Sequence, residues 1–121
     1  MREIKFRVWD RSDRVWIRVP FNVYWNDASA VTVRYKTSEG FDRVLVVDES
    51  CELHQFTGLR DKNGKEIYEG DIVQYGKTTN AWLVEWSEKY GKMTFGGSFA
   101  LTRSSVRALA IIGNIYEHPT W

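Results

Sequence analysis

The hydrophobic positions of the chain alternate with polar ones over several short runs, which is typical of half-buried β-strands. Near the N-terminus, Ile4, Phe6 and Val8 alternate with charged and aromatic neighbours, and the alternation returns over residues 15–19 after the polar segment 10–13. Alternation on both sides of a polar turn predicts an antiparallel hairpin. The face of this hairpin that points away from the core is expected to carry Lys5, Arg7, Trp9, Trp16 and Arg18.

A second predicted hairpin is centred on the turn-prone pair Asn63-Gly64. Strand-like runs precede and follow this pair, and Asn-Gly favours a type I′ turn, in which both central residues have positive φ. Gly70-Asp71 then interrupts the second run, because a residue without Cβ lets the backbone bend sharply into a new strand. The chain therefore divides into residues 1–54, with the N-terminal hairpins and an insert, and a barrel-like part over residues 55–121.

Short strands are predicted in both parts of the chain. The predicted strands cover residues 31–35, 41–47, 82–86, 92–95, 99–101 and 109–112. Turns are expected at 38–40 and 88–91, a break in the chain's last strand at Gly113-Asn114, and a helical turn over 104–108. Short strands with glycine at the corners favour a mostly β fold with a small closed or half-closed barrel and little helix.

The composition agrees with one small β-rich domain. The chain has 121 residues, and aromatic residues make up 15% of it, which favours strands over helices. Cys51 is the only cysteine, so no intrachain disulfide can form and a reducing compartment is the simplest location. No apolar run approaches the roughly 20 residues that span a bilayer. We therefore expect a cytoplasmic protein without membrane association.

The net charge of +1 argues against a strongly nucleic-acid-binding chain. The charges are nevertheless uneven: residues 1–18 hold six basic and three acidic side chains, residues 48–71 hold three and seven, and residues 72–107 hold five and two. The acidic middle either offsets basic neighbours in the fold or leaves a face of one sign for a partner. We favour the first interpretation, because charge runs usually mark solvated faces.

Sites for a metal ion are not predicted. Cys51 and His54 stand three residues apart, but the only other histidine is His118, and a structural zinc ion needs four ligands. The acid-rich turn around Asp61 and Asn63 lacks the spacing of a calcium loop, so these residues are better explained as turn formers that bond local backbone groups.

Catalytic motifs are not recognisable either. Gly76-Lys77-Thr78 resembles the end of a phosphate-binding loop, but the first glycine of that motif would fall at Asp71. The carboxylates of Glu66, Glu69 and Asp71 have no adjoining residues arranged for acid–base work. We expect no catalytic residues and no cofactor.

Three blocks of sequence carry a family resemblance. They are Met1–Asp10, Gln55–Val73 and Ile112–Glu117. In content and order these blocks resemble the signature of the YopX family, a group of small proteins encoded by bacteriophages and prophages. The resemblance implies a phage or prophage origin, a mostly β fold with an SH3-like barrel portion, and no assigned enzymatic activity or catalytic residues. The insert between residues 20 and 50 matches no signature block.

The surplus of tryptophan points to an interaction role, because a domain this small cannot bury all of these rings and exposed Trp is a favoured interface anchor. We predict a non-catalytic protein–protein interaction module that acts in the bacterial host, with self-association as another use of the same surface. The candidate interaction surface comprises Lys5, Arg7, Trp9, Trp16, Arg18, Trp82 and Trp86.

Single-stranded nucleic acid is the alternative partner, because bases stack on aromatic rings while phosphates meet the cations. The same residue mixture also covers ordinary sheet faces, where arginine stems pack along Trp rings. An enzyme is the least favoured of the three classes.

Overall fold

The computed structural model describes residues 5–25, 31–77, 80–96 and 99–117. Twelve β-strands and one 3₁₀ helix make up the described elements: β1 Phe6–Asp10, β2 Val15–Trp16, β3 Phe21–Trp25, β4 Val31–Lys36, β5 Asp42–Val46, β6 Cys51–Arg60, β7 Glu66–Tyr68, β8 Asp71–Tyr75, β9 Ala81–Ser87, β10 Lys92–Phe95, β11 Phe99–Ala100, the 3₁₀ helix Ser105–Ala108 and β12 Leu109–Asn114. The pairings of β1 with β2, β3 with β4, β4 with β5, β6 with β7, β8 with β9 and β12, and β10 with β9 and β11 are antiparallel. The predicted mostly β fold is confirmed.

The chain forms two compact units. The first unit runs from Arg7 to Leu53, and the second contains the residues up to Phe6 and those from His54 onward. The sequence predicts a division after residue 54 within a single domain. That the two units form one domain stays a prediction.

The core of the first unit lies under a three-stranded sheet in the order β3-β4-β5. Val23, Val33 and Leu45 lie side by side in this sheet, and Val33 and Leu45 are buried. Because side chains alternate between the faces of a strand, their neighbours Arg34 and Val44 lie on the opposite, exposed face. The predicted strands over 31–35 and 41–47 are confirmed as β4 and β5, and β3 pairs with β4 as the third strand of the sheet.

The N-terminal hairpin of β1 and β2 is also confirmed, with Trp9 opposite Trp16. Its turn is held by the buried Asp10, whose Oδ1 accepts hydrogen bonds from the backbone N–H groups of Ser12 and Asp13 at 2.9 and 3.1 Å. This is the local bonding that makes aspartate a common turn residue. The second strand is only two residues long, whereas the alternation predicts a strand up to residue 19.

A five-stranded sheet in the order β11-β10-β9-β8-β12 dominates the second unit and bends into a half-barrel. Its buried core consists of Ile67, Val73, Val84, Phe95, Leu101, Val106 and Leu109. The predicted helical turn is confirmed as the 3₁₀ helix, which contributes Val106 to this core. The finer prediction that this part resembles an SH3 barrel stays a prediction.

The hairpin of β6 and β7 differs from the predicted type I′ turn. Among the described residues that have positive φ, Gly64 is present at +82° but Asn63 is not. Gly64 N–H bonds the Asp61 carbonyl at 3.0 Å and Asp61 N–H bonds the Lys65 carbonyl at 2.8 Å, as in a three-residue loop with glycine in the last position. The Asp61 carboxylate stabilises this turn, because its Oδ1 accepts bonds from Asn63 N–H and Lys65 N–H, both at 2.9 Å.

The predicted bend at Gly70-Asp71 is confirmed. Gly70 has φ +89°, and a Cβ atom there would overlap the ring of His54, lying 2.6 Å from its Cε1. Asp71 begins β8, and its Oδ2 accepts a bond from Tyr68 N–H at 2.8 Å. Glycine is therefore required here both by backbone conformation and by space.

The last strand continues where the sequence predicted a break. β12 pairs with β8 as far as Asn114, with a register shift between Ile111 and Gly113. The glycine marks a β-bulge, which is a common role for glycine within a strand. One consequence is that Ile112 is turned outward and is 49% exposed.

Candidate functional site

An open groove of about 670 Å³ lies in the second unit and is formed by residues of β6, β9, β10 and the segment after β11. Its apolar lining includes the buried Phe56 and Leu101 and the half-buried Leu59 and Met93. The volume is within the range of about 300–1,000 Å³ that is usual for ligand sites. The groove is partly open to solvent, so a ligand can reach its lining from outside the fold.

Trp86 forms part of the groove and is 52% exposed. It lies two residues after Val84, which is fully buried in the core, so both side chains are on the same face of β9. Trp86 is opposite Met93 on β10. The core-facing side of the sheet therefore continues past its covered part and ends as exposed apolar surface.

Three cationic side chains also line the groove, namely Arg60, Lys92 and Arg103. Arg60 donates to the Gly64 carbonyl at 3.2 Å, and its other terminal nitrogen is 3.6 Å from Glu66 Oε2. Among the described residues that line the groove, none is Asp or Glu. The lining therefore combines an apolar floor with positive charge.

A bulge in β6 shapes one wall of the groove. Phe56 pairs with Tyr68 and Arg60 with Glu66, so β6 has two more residues than β7 between these pairs. Gly58, at φ +85°, lies within this bulge. The extra residues bring Leu59 and Arg60 to the groove. A regular strand pairing at this point would orient these two side chains differently.

The predicted surface residues of the second unit have different environments. Trp82 is half-buried and packs against the core, with its ring centroid 6.0 Å from that of Phe95 in an edge-on contact. Lys5 forms an ion pair with Glu66 at 2.8 Å and lies over the ring of Phe56. Of the predicted residues in this unit, Trp86 is the one that lines the groove.

In the first unit, the prediction that Trp9 is exposed is wrong. Val8, Trp9 and Asp10 are all buried, which means that both faces of β1 are covered. The Trp9 ring packs edge-on against Trp16 at a centroid distance of 5.0 Å, and the Arg7 guanidinium lies 4.3 Å from the centre of the Trp16 ring. Arg18 is exposed. This packing is the cross-strand arrangement given above as the alternative to nucleic-acid contact.

Several groove residues were not predicted from the sequence. Arg60, Met93, Lys92 and Arg103 come from three separate segments, and no local pattern connects them. Trp86 is predicted from the sequence, because the surplus of tryptophan implies that some rings are exposed. Trp25 in the first unit fits the same reasoning, since it is 80% exposed.

A second polar arrangement in the second unit surrounds His54. Its Nδ1 contacts the Glu69 carbonyl oxygen, so Nδ1 carries the proton and donates, while Nε2 accepts a bond from the Tyr116 hydroxyl. The Tyr116 ring also packs edge-on against the His54 ring at a centroid distance of 5.0 Å. Both ring nitrogens of His54 are therefore occupied by hydrogen bonds that hold the ring in place beside Gly70.

Metal-binding geometry is not found in the described part of the chain, where no group of three or more His, Cys, Asp or Glu side chains could hold a metal ion. His118 lies outside the described residues. Cys51 is buried, and this burial, reinforced by the nearby Asp10, raises the pKa of its thiol to about 11. The thiol therefore stays neutral at physiological pH. The expected absence of a metal stays a prediction.

Comparison with known proteins places the chain in a family. The model of the family described as YopX protein matches residues 5–121, which is nearly the whole chain. The chain belongs to the YopX family. A search of curated proteins gave no match.

Two solved structures have similar folds. Protein EF1440 from Enterococcus faecalis superposes with a TM-score of 0.71 at 22% identity, and protein yopX from Bacillus subtilis with a TM-score of 0.57 at 18% identity. In each case the match covers 98% of this chain and 97% of the other chain. At these identities the similarity shows the YopX fold and does not assign a function. Within the described residues, no helix has the length and apolar character that crossing a membrane requires.

Proposed function

We propose that this YopX-family protein is a non-catalytic protein–protein interaction module, encoded by a bacteriophage or prophage and acting in the cytoplasm of the bacterial host. The observation that carries the proposal is Trp86, which is 52% exposed on the face of β9 that forms the core at Val84. Tryptophan and arginine are the residue types most enriched at the energetic centres of protein interfaces. The groove presents both, since Trp86, Arg60 and Arg103 all line it.

A non-catalytic role is supported by the chemistry of the groove. The described lining residues include no His, Cys, Asp or Glu, which are the usual general acids, bases and nucleophiles. The hydroxyl of Thr57, another lining residue, donates to the Ile67 carbonyl at 2.6 Å. A groove of cations, aromatic surface and apolar floor suits binding better than proton transfer.

A protein partner is favoured over nucleic acid for two reasons. Binding of single strands without base pairing uses a series of exposed rings along a basic track. The N-terminal residues predicted for that role are engaged elsewhere: Trp9 is buried, Arg7 stacks on Trp16, and Lys5 pairs with Glu66. The apolar floor of the groove also offers no advantage for a phosphate backbone.

The test is affinity capture of the tagged full chain from bacterial cells, performed with and without nuclease. We expect nuclease-resistant protein partners that are retained by Trp25→Ala and lost by Trp86→Ala. Trp25→Ala is the matched control because it also truncates an exposed tryptophan, at 80% exposure, in the first unit. Partners that disappear on nuclease treatment would replace the protein hypothesis with the nucleic-acid one, and equal losses in both variants would remove the groove from the proposal.

A further inference from the structure

We propose that the groove binds an extended acidic peptide segment of its partner, which places one apolar side chain against Trp86 and Met93. This inference rests on the proposed function and adds the chemistry of the ligand. A peptide is the expected ligand because the groove mixes an apolar floor with a cationic lining.

The apolar part of the recognition follows from the end of the covered core. Val84 is fully buried, whereas Trp86, on the same face, is half exposed, and Met93 opposite it is half-buried. A side chain inserted here would extend the existing core by one more layer. Large apolar or aromatic side chains gain the most from this position, because the free energy of burial scales with the apolar area removed from water.

The charged part follows from the three cations of the lining. Arg60 is in β6, Lys92 begins β10, and Arg103 follows β11, so the positive charge comes from three separate segments around the groove. The described lining residues include no Asp or Glu, but Glu66, which is not a lining residue, lies 3.6 Å from Arg60, so Lys92 and Arg103 carry most of the positive charge that a ligand would meet. Acidic side chains that flank the apolar anchor would therefore meet complementary charge, which steers association and selects among partners.

Nucleic acid satisfies the charge requirement but not the apolar one. Trp86 and the largely buried Phe56 are the aromatic residues of the described lining, and Phe56 is only 4% exposed. One accessible ring provides one stacking position, whereas single-strand binders use successive rings. A peptide can supply one anchor and several carboxylates in a short extended segment, which fits the arrangement better.

The experiment uses the full-length protein and an array of random short peptides as the probe. We expect the enriched peptides to contain Asp and Glu on both sides of a Phe, Trp, Leu or Met. For a peptide so enriched, Trp86→Ala should weaken binding about thirtyfold, as expected for an interface anchor, and Arg103→Glu should weaken it about tenfold at low salt. Trp25→Ala should leave binding unchanged, and circular dichroism should show that all variants remain folded.

The opposite results are equally clear. Enrichment of basic or uncharged peptides, or binding unaffected by Trp86→Ala, would overturn the inference. An oligothymidine that binds at low salt and competes with the peptides would make nucleic acid the ligand instead. If the array enriches nothing while nuclease-resistant partners are still captured from cells, the acidic-peptide inference fails and the interaction module stands. Peptide binding without any captured cellular partner would support the ligand chemistry and count against the interaction module.

Discussion

Replacing Gly70 by alanine should destabilise the protein much more than the same change at Gly64. The two glycines have nearly the same backbone conformation, with φ +89° at Gly70 and +82° at Gly64. A Cβ atom added at Gly64 meets no atom within 4 Å, whereas one added at Gly70 overlaps the ring of His54. The pair therefore separates the cost of backbone strain from the cost of a collision.

The strain is common to both variants and costs about 1 kcal/mol, because the penalty for a side chain at positive φ is partly offset by the smaller entropy of the unfolded chain. In Gly70→Ala the His54 ring must also move away from the Glu69 carbonyl and the Tyr116 hydroxyl. Two lost hydrogen bonds add about 1–3 kcal/mol. We expect the free energy of unfolding to fall by about 1 kcal/mol in Gly64→Ala and by about 2–4 kcal/mol in Gly70→Ala.

Urea unfolding followed by fluorescence and circular dichroism measures both values. The decisive comparison is Gly70→Ala in a His54→Ala background, where the collision is gone. There the cost of Gly70→Ala should fall to that of Gly64→Ala, which is the coupling expected of residues in direct contact. Equal costs for the two glycine variants in the wild-type background, or an unchanged cost after His54→Ala, would refute the reasoning.

Three further predictions concern buried polar groups. Asp61→Asn should lower the free energy of unfolding by about 1–3 kcal/mol. Asp61 Oδ1 accepts from the turn and Oδ2 accepts from Ile111 N–H at 2.9 Å, whereas an amide has only one acceptor oxygen. The control is Asp42→Asn, which should change the free energy of unfolding by less than about 1 kcal/mol because the Asp42 side chain is 84% exposed. Arg43→Met should lower the free energy of unfolding, measured in urea, by about 1–3 kcal/mol. The change removes the cation 4.0 Å from the buried Oδ2 of Asp10, and this oxygen has no hydrogen-bond partner among the described residues. A decrease below about 0.5 kcal/mol would show that this cation is not needed. Finally, burial raises the pKa of the Cys51 thiol from 9.0 to about 11, so as the pH rises this thiol ionises first in the unfolded chain. The free energy of unfolding should therefore fall between pH 9 and pH 11, and it should fall by more than in Cys51→Ala. Native Cys51 should also react slowly with a thiol reagent at pH 8 and rapidly after unfolding.

Local pattern was sufficient for most of the strands. Alternation over Val31, Val33 and Tyr35 predicts β4 because the period of two reflects which face of the strand is buried. The bend at Gly70 could be predicted for a similar reason, since glycine between two strand-like runs has few other roles. Both features depend on residues that are close together in the sequence.

Features that depend on distant contacts were not predictable in this way. Asn63-Gly64 favours a type I′ turn locally, but Asp61 bonds the turn with one carboxylate oxygen and Ile111, fifty residues later, with the other. Trp9 is at an outward position of the alternation, yet both faces of β1 are covered. In each case the deciding contact is made by residues that are distant in the sequence, and the neighbouring residues give no sign of it.

The residues expected to stabilise the second unit differ from those expected to bind a partner in the candidate groove. Gly70 and Asp61 hold turns of the second unit together, and neither lines the groove. Trp86 lines the groove and is about half exposed at the end of the core face, so its truncation should cost less stability than truncation of a fully buried ring. A large loss of partner binding in Trp86→Ala with little loss of stability would therefore mark this exposed tryptophan as a binding residue, whereas a matching loss of stability would mean that the ring mainly closes the core.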